Sequence, residues 1–257
     1  MTPSDIALLE YDPDPRAVIE PDHEKLGVSL PERAVFAFLG DTVDDYAAEH
    51  GFPVAAEFET VTKRFPVYRA EENGVPYALV AAPQGASAAT QLLDWLMSYG
   101  VRTAIAVGSC GVLCDLPENA FLIPTRALRD EGTSFHYLPP SRYVETDATL
   151  RHTVETVFAA RALPFHECTT WTTDGFFRET EAKVRARRAE GCSAVEMECA
   201  ALAAAAKFRG ARFAQILYTA DTLAHAGLYD ERDWGEASRL PALRLAAEII
   251  AEAPNFD

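Results

Sequence analysis

The chain has 257 residues, 49% of them hydrophobic and 24% charged, which is ordinary globular material with enough apolar side chains for a sizeable core. A net charge of −16 excludes a surface built for nucleic-acid phosphates or anionic lipid heads, although a small anion can still be held in a local positive pocket. No apolar run approaches the ~18 residues of a membrane span, and Met1-Thr2-Pro3-Ser4-Asp5 carries no basic or apolar leader, so a cytoplasmic protein without membrane or nucleic-acid partners is expected.

Residues 1–32 are rich in Pro, Asp and Glu and read as an irregular arm. Ala34 to Leu39 is a short apolar run ending at Gly40, a buried-strand pattern. Asp41 to His50 reads as a helix stopped by Gly51. Residues 65–82 form two strand-like runs around Asn73-Gly74, a hairpin signal. Ser87 to Tyr99 is an amphipathic helix ended by Gly100. Thr103 to Val107 is a strand that is expected to break into a Gly108-Ser109-Cys110-Gly111 loop. A strand over 120–125, a helix over 146–161 and a strand over 165–173 follow. A charged helix over 179–189, a strand over 193–197, an Ala-rich helix over 198–208, a strand over 211–219 and a helix over 239–252 complete the chain.

Such alternation predicts a single domain over 1–257: a three-layer α/β/α sandwich with a mixed central sheet. Ligands in such sheets bind at loops after the carboxyl ends of strands. Polar residues fall there at Gly40-Asp41, Gly108-Ser109, Thr173-Asp174, Glu196-Met197-Glu198 and Asp221. The five cysteines are odd in number and fit neither a zinc site nor a redox pair, so they read as reduced thiols used as small apolar residues; no metal site is expected. Glu198, at a strand-to-helix turn, is placed to accept two hydrogen bonds from a vicinal diol. The alternative is that Glu196 and Glu198 only favour the positive end of the next helix.

Val107-Gly108-Ser109-Cys110-Gly111, Ala194 to Leu202 and the Ala220-Asp221 pair, in that order, resemble the nucleoside phosphorylase/nucleosidase superfamily over roughly residues 34–250. The resemblance is to the branch holding hexameric purine nucleoside phosphorylases, uridine phosphorylases and methylthioadenosine-type nucleosidases. It implies cleavage of a nucleoside's N-glycosidic bond, with phosphate as expected co-substrate, no other cofactor, and a homo-oligomer (dimer or hexamer). Met197 and Glu198 match the ribose contacts, with Glu198 stabilising the cationic sugar. Phe176, in Asp174-Gly175-Phe176-Phe177, matches the ring laid on the base. Asp221 matches the acid that protonates a purine at N7; its alternative role is to cap a following helix. Asp130 to Tyr137 looks closer to the uridine branch, but the uracil-reading Gln and Arg find only Arg178-Glu179 after Phe177. The base therefore stays open between purine and another heterocycle.

The phosphate site departs from the pattern. Gly40 and Asp41 match the first loop, but the arginine position there holds Asp44 and the second arginine position holds Ala106. Ser109 remains, and a third cation from a neighbouring protomer falls on Lys63 or Arg64. Asp44 or Asp45 stands near the place where hydrolytic members activate water, or else both are simply acids in the first turn of a helix. His23 falls where relatives reach a neighbour's ribose 5′-hydroxyl. Phosphorolysis stands slightly ahead on family weight, with hydrolysis and a non-catalytic nucleoside-binding paralogue as alternatives.

Overall fold

The computed structural model describes residues 4–225 and 228–256; Met1 to Pro3, part of the stretch read for a leader, lie outside them. Among the described residues the arm makes short turns at Ala7–Leu9 and over 21–24 and contributes no buried side chain before Leu30. It is pinned by its polar groups: Trp95 Nε1 donates to Glu24 at 3.1 Å and Arg209 donates to the Pro15 carbonyl at 2.6 Å.

The hairpin forms where Asn73 and Gly74 take the positive φ that a primed turn needs, 53° and 79°. It joins β3 (Arg64–Glu72) to β4 (Val75–Ala81), and β4 lies parallel to β1 (Arg33–Phe38). Strand β2 (Val54–Glu59) pairs with β3 at the sheet edge and has no counterpart among the expected elements. Its Val-Ala-Ala-Glu-Phe-Glu sequence is half exposed, and Ala and Glu are weak strand formers, so only the partner reveals it.

The main departure lies in β5, which runs unbroken from Thr103 to Val112. Gly108 to Gly111 is strand, not loop. Ser109 pairs with Tyr218 and Cys110 with Thr219 of β10 (Arg212–Thr222), while Gly111 crosses to Val195 of β9 (Cys192–Glu196). The glycines serve close approach instead of a turn. A Cβ on Gly111 would meet Val195 at 3.0 Å, Leu223 at 3.1 Å and Asp221 Oδ1 at 3.3 Å. Strand β10 likewise extends past Asp221, so Asp221 sits within a strand and does not cap a helix.

With β6 (Phe121–Asp130) and β8 (Phe165–Thr173), these strands close on themselves. β5 pairs with β10, β10 with β6, β6 with β8, β8 with β9, and β9 with β5. One side chain from each strand fills the ring: Cys110, Leu122, Cys168, Ala194 and Leu217. Cysteine and alanine suit so narrow a space, in keeping with thiols used as small apolar residues, and all five cysteines are free.

Helices cover both faces of the sheet. α2 (Ala86–Ser98), α3 (Ser134–Tyr137) and α6 (Cys199–Phe208) pack on one side, with Leu92, Leu93, Leu96 and Leu202 buried. α1 (Thr42–His50), α4 (Ala148–Ala160) and α7 (Arg239–Glu252) cover the other through Val43, Leu150, Phe158 and Ile249. α5 (Glu181–Ala189) seals the end beside β9 through Val184. The three-layer α/β/α architecture with a mixed sheet is therefore present, with β7 (Tyr143–Glu145) paired to β6. Among the described residues no helix is long and apolar enough to cross a membrane, and no His/Cys/Asp/Glu group is arranged to hold a metal.

Gly111→Ala should strain the ring where β5 crosses to β9. Overpacking of this kind costs about 1–3 kcal/mol. The expected result is a lower urea midpoint with an unchanged m-value; an unaltered midpoint would show that the ring yields freely at this point.

Candidate active site

The carboxyl ends of β1, β5, β9 and β10 open into one cavity of about 440 Å³, the size of a small-molecule site. Its lining includes Gly40, Ser109, Phe176, Met197, Glu198 and Asp221. The structure thus brings together, from five separate stretches of chain, most of the residues singled out in the sequence.

The β9-to-α6 turn is held by Glu196. Its buried carboxylate accepts from Thr170 Oγ1 at 3.3 Å and Thr172 Oγ1 at 2.6 Å, both on β8. It also accepts from the backbone N–H groups of Glu198 at 2.8 Å and Cys199 at 2.7 Å. Thr172 Oγ1 then accepts from Ala200 N at 3.0 Å. The open N–H groups of α6 are therefore capped from neighbouring residues, as a helix start requires. Glu198 is left free to turn its side chain outward.

Glu198 meets the start of α2, where the Gly85 N–H donates to Oε1 at 2.6 Å. Gly85 has φ +97°, a conformation that a side chain would strain. Beside it, Gln84 Nε2 donates to Met197 Sδ at 3.4 Å and fixes the methionine on the cavity wall. Glu198 is 6% exposed, and burial, then the charge of Glu196, push its carboxyl up to about 8. Burial pushes Glu196 upward too, but its four hydrogen bonds favour the ionised form. Burial beside that charge favours the protonated form of Glu198.

Asp221 is 6% exposed, and its carboxyl is raised by burial. Glu179 was not among the expected site residues. It follows a short turn at Phe176–Arg178 and lines the same cavity, lifted to about 7 by burial and then by Asp221. Gln215 and Trp234 also line it and were equally unforeseen. Gln215 lies opposite Ala106 in the β5–β10 register. Among the described residues the lining carries four carboxyl groups, Glu179, Glu196, Glu198 and Asp221, and no lysine or arginine.

The remaining expected residues stand elsewhere on the chain. Asp44 and Asp45 lie on the exposed first turn of α1, outside the lining, and Asp44 accepts from the Tyr68 hydroxyl at 2.8 Å. Lys63 lies over the Phe65 ring at 5.3 Å, and Arg64 pairs with Glu59 at 3.3 Å. His23 contacts the Glu20 carbonyl through Nδ1 at 3.0 Å and lines a separate groove beneath the arm. Those three were assigned to a neighbouring protomer's site, and each is exposed to solvent in the single chain. Cys110 borders the cavity floor, but burial holds its thiol well above the ordinary range, in the inert form.

A sequence profile of the phosphorylase superfamily matches residues 32–251. The chain belongs to that superfamily. Solved structures agree at the level of fold. An AMP nucleosidase from Bacteroides thetaiotaomicron is 21% identical, with 88% of this chain and 91% of that chain covered and a TM-score of 0.69. A uridine phosphorylase from Vibrio fischeri is 18% identical, with coverage of 87% and 93% and a TM-score of 0.75. A 5′-methylthioadenosine/S-adenosyl homocysteine nucleosidase from Campylobacter jejuni is 15% identical, with coverage of 87% and 100% and a TM-score of 0.71. Phosphorylases and nucleosidases both occur on this fold.

Glu198 makes the site sensitive to pH. Its carboxyl is raised in the folded chain, so the stabilisation from holding the proton is complete below about pH 4.5 and is lost as pH rises towards 8. Glu198→Gln keeps the acceptor for Gly85 and never ionises. It should be more stable than the parent at about pH 9, by roughly 1–3 kcal/mol, and equal to it near pH 4–5. Denaturant midpoints across that range test this; parallel curves for the two proteins would sink it.

Proposed function

We propose that this phosphorylase-superfamily chain cleaves the N-glycosidic bond of a purine nucleoside, and that water takes the ribosyl group. One observation carries the choice of water: the described lining holds four carboxyl groups and no cation. Phosphate binding rests on bidentate arginine or on lysine charge. A dianion entering this cavity would find no compensating cation in a low-dielectric setting, where an unpaired charge is costly.

Each residue then has a chemical task. Phe176 lies along the base, and Met197 packs beneath the sugar. Glu198 accepts from the 2′- and 3′-hydroxyls. As the C1′–N9 bond breaks, its electron pair leaves with the base and positive charge grows on the ribose. The Glu198 carboxylate stabilises that charge more strongly in the transition state than in the substrate. Protonated Asp221 donates to N7, so the base leaves neutral. Water adds at C1′ and gives its proton to a lining carboxylate. Neither Asp44 nor Asp45 has a part in this scheme.

Phosphorolysis is the second reading. It is favoured by the exposed Ser109 hydroxyl beside Gly40, and by Lys63 and Arg64 at an exposed turn from which a second copy could supply charge. It requires a homo-oligomer, dimer or hexamer, and the ribose contact assigned to His23 requires the same.

Incubating purine nucleosides with and without phosphate, and analysing the sugar, separates the two. Free ribose at a phosphate-independent rate is expected. Ribose 1-phosphate formed with saturable phosphate dependence would overturn the choice of water. Asp221→Asn should lower kcat by roughly 10²–10⁴, the scale of general-acid assistance. Glu198→Ala should impair both kcat and kcat/KM, because its contacts tighten as the sugar becomes cationic. Full activity in both variants would remove these assignments.

A further inference from the structure

Met197 stands at the junction of two hollows. It lines the cavity described above, and it also borders a surface recess of about 690 Å³ together with Gln84, Asp174, Phe176, Phe177 and Arg178. The side chain is half-buried, and its contact with Gln84, where Nε2 donates to Sδ at 3.4 Å, is open to solvent. A small molecule can therefore reach the thioether.

The other sulfurs of the described residues are placed differently. Met97, on α2, is 3% exposed within the core. Cys110, Cys168, Cys192 and Cys199 are buried, and Cys114 is half-buried with its thiol donating to the Ser193 carbonyl at 3.8 Å. Burial raises all five thiols above their ordinary range, at Cys114 against the pull of Arg188. A thiol reacts with a peroxide as its thiolate, so these five are slow near neutrality. A thioether reacts without ionising. Access and chemistry thus single out the same side chain.

We propose that Met197 is a site of reversible oxidation by hydroperoxides, and that its sulfoxide closes the cavity to a ribosyl substrate. A sulfur lone pair forms an S–O bond to the hydroxyl oxygen of the peroxide, and the O–O bond breaks. The departing oxygen takes up the transferred hydroxyl proton and leaves as water or an alcohol. Sulfur loses two electrons and the peroxide gains them. The product carries a strong acceptor where the wall was apolar, and Gln84 Nε2, already on the sulfur, can donate to it. The closing of the cavity rests on the nucleoside-cleaving reading, in which Met197 packs beneath the sugar. The added oxygen takes space that the sugar needs, and burying it under an apolar ring face strips its hydration. Methionine sulfoxide reductases return the thioether, one enzyme for each epimer, so the change is reversible.

The test exposes the folded protein to hydrogen peroxide. Peptide mass spectrometry should show a gain of about 16 Da, one oxygen, on the Met197 peptide ahead of the Met97 peptide and of every cysteine peptide. The rate should stay level from about pH 6 to about pH 8, where a thiolate reaction would rise about tenfold per unit. Adenosine cleavage should fall in proportion to the Met197 sulfoxide. Treatment with reductases for both epimers should remove the oxygen and restore the rate together. Met197→Leu should hold its own starting rate through the same exposure. Earlier modification of Met97 or of a cysteine, or a Met197 sulfoxide that leaves adenosine cleavage unaltered, overturns the proposal. If the untreated protein cleaves no riboside, the nucleoside-cleaving reading fails, and calorimetric binding of adenosine before and after oxidation decides the closure. Weaker binding after oxidation supports it; equal binding, or none in either state, overturns it.

Discussion

The Glu196 carboxylate is the fixed point from which the site is built. It is buried, it accepts from two threonines of β8, and it caps two backbone N–H groups at the start of α6. A single side chain thereby joins two strands of the closed ring to the helix that carries Glu198. Loss of one partner would leave a buried charge short of hydrogen bonds, which is far more damaging than loss of a surface contact. Every acceptor that Glu196 spends on α6 is one that Glu198 need not supply. That is why Glu198 can face the cavity and meet the Gly85 N–H at the start of α2.

A second constraint follows from charge. Four carboxyl groups line a cavity that no described lysine or arginine enters. Burial opposes ionisation, so Glu179, Glu198 and Asp221 are all displaced upward from ordinary carboxyl behaviour. Perturbation of this kind marks functional sites, because groups that exchange protons near neutrality are useful to chemistry and a burden to folding. The ring and its helices supply the apolar packing that offsets the burden. Gly111 lets β5 pass close to Val195 of β9 and to the Asp221 side chain of β10.

The sequence was legible wherever local physics and the tertiary fold agreed. The Asn73-Gly74 hairpin, the amphipathic α2 and the α7 span all follow from patterns within a few residues. Glu198, Met197, Phe176 and Asp221 were found through resemblance, since nothing in their immediate neighbours forces them into one cavity. Gly108 and Gly111 misled because glycine signals both turns and close packing; only their neighbours on β1, β9 and β10 tell which applies. β2 was hidden by its half-exposed, Ala- and Glu-bearing sequence. Glu179 looked like an ordinary first-turn acid of a charged helix, and it shares the cavity with Asp221 across a sequence separation that no local pattern records.

The raised carboxyl of Glu198 has a thermodynamic consequence. On the proposed reading of the site, a ribose diol donates hydrogen bonds and a cationic sugar favours the carboxylate still more, so binding would draw Glu198 towards ionisation and expel its proton. The heat of ligand binding would then contain the ionisation enthalpy of whatever buffer receives that proton. Titrations in phosphate and in Tris would differ in apparent enthalpy while agreeing in affinity, and the difference would count the protons the cavity gives up.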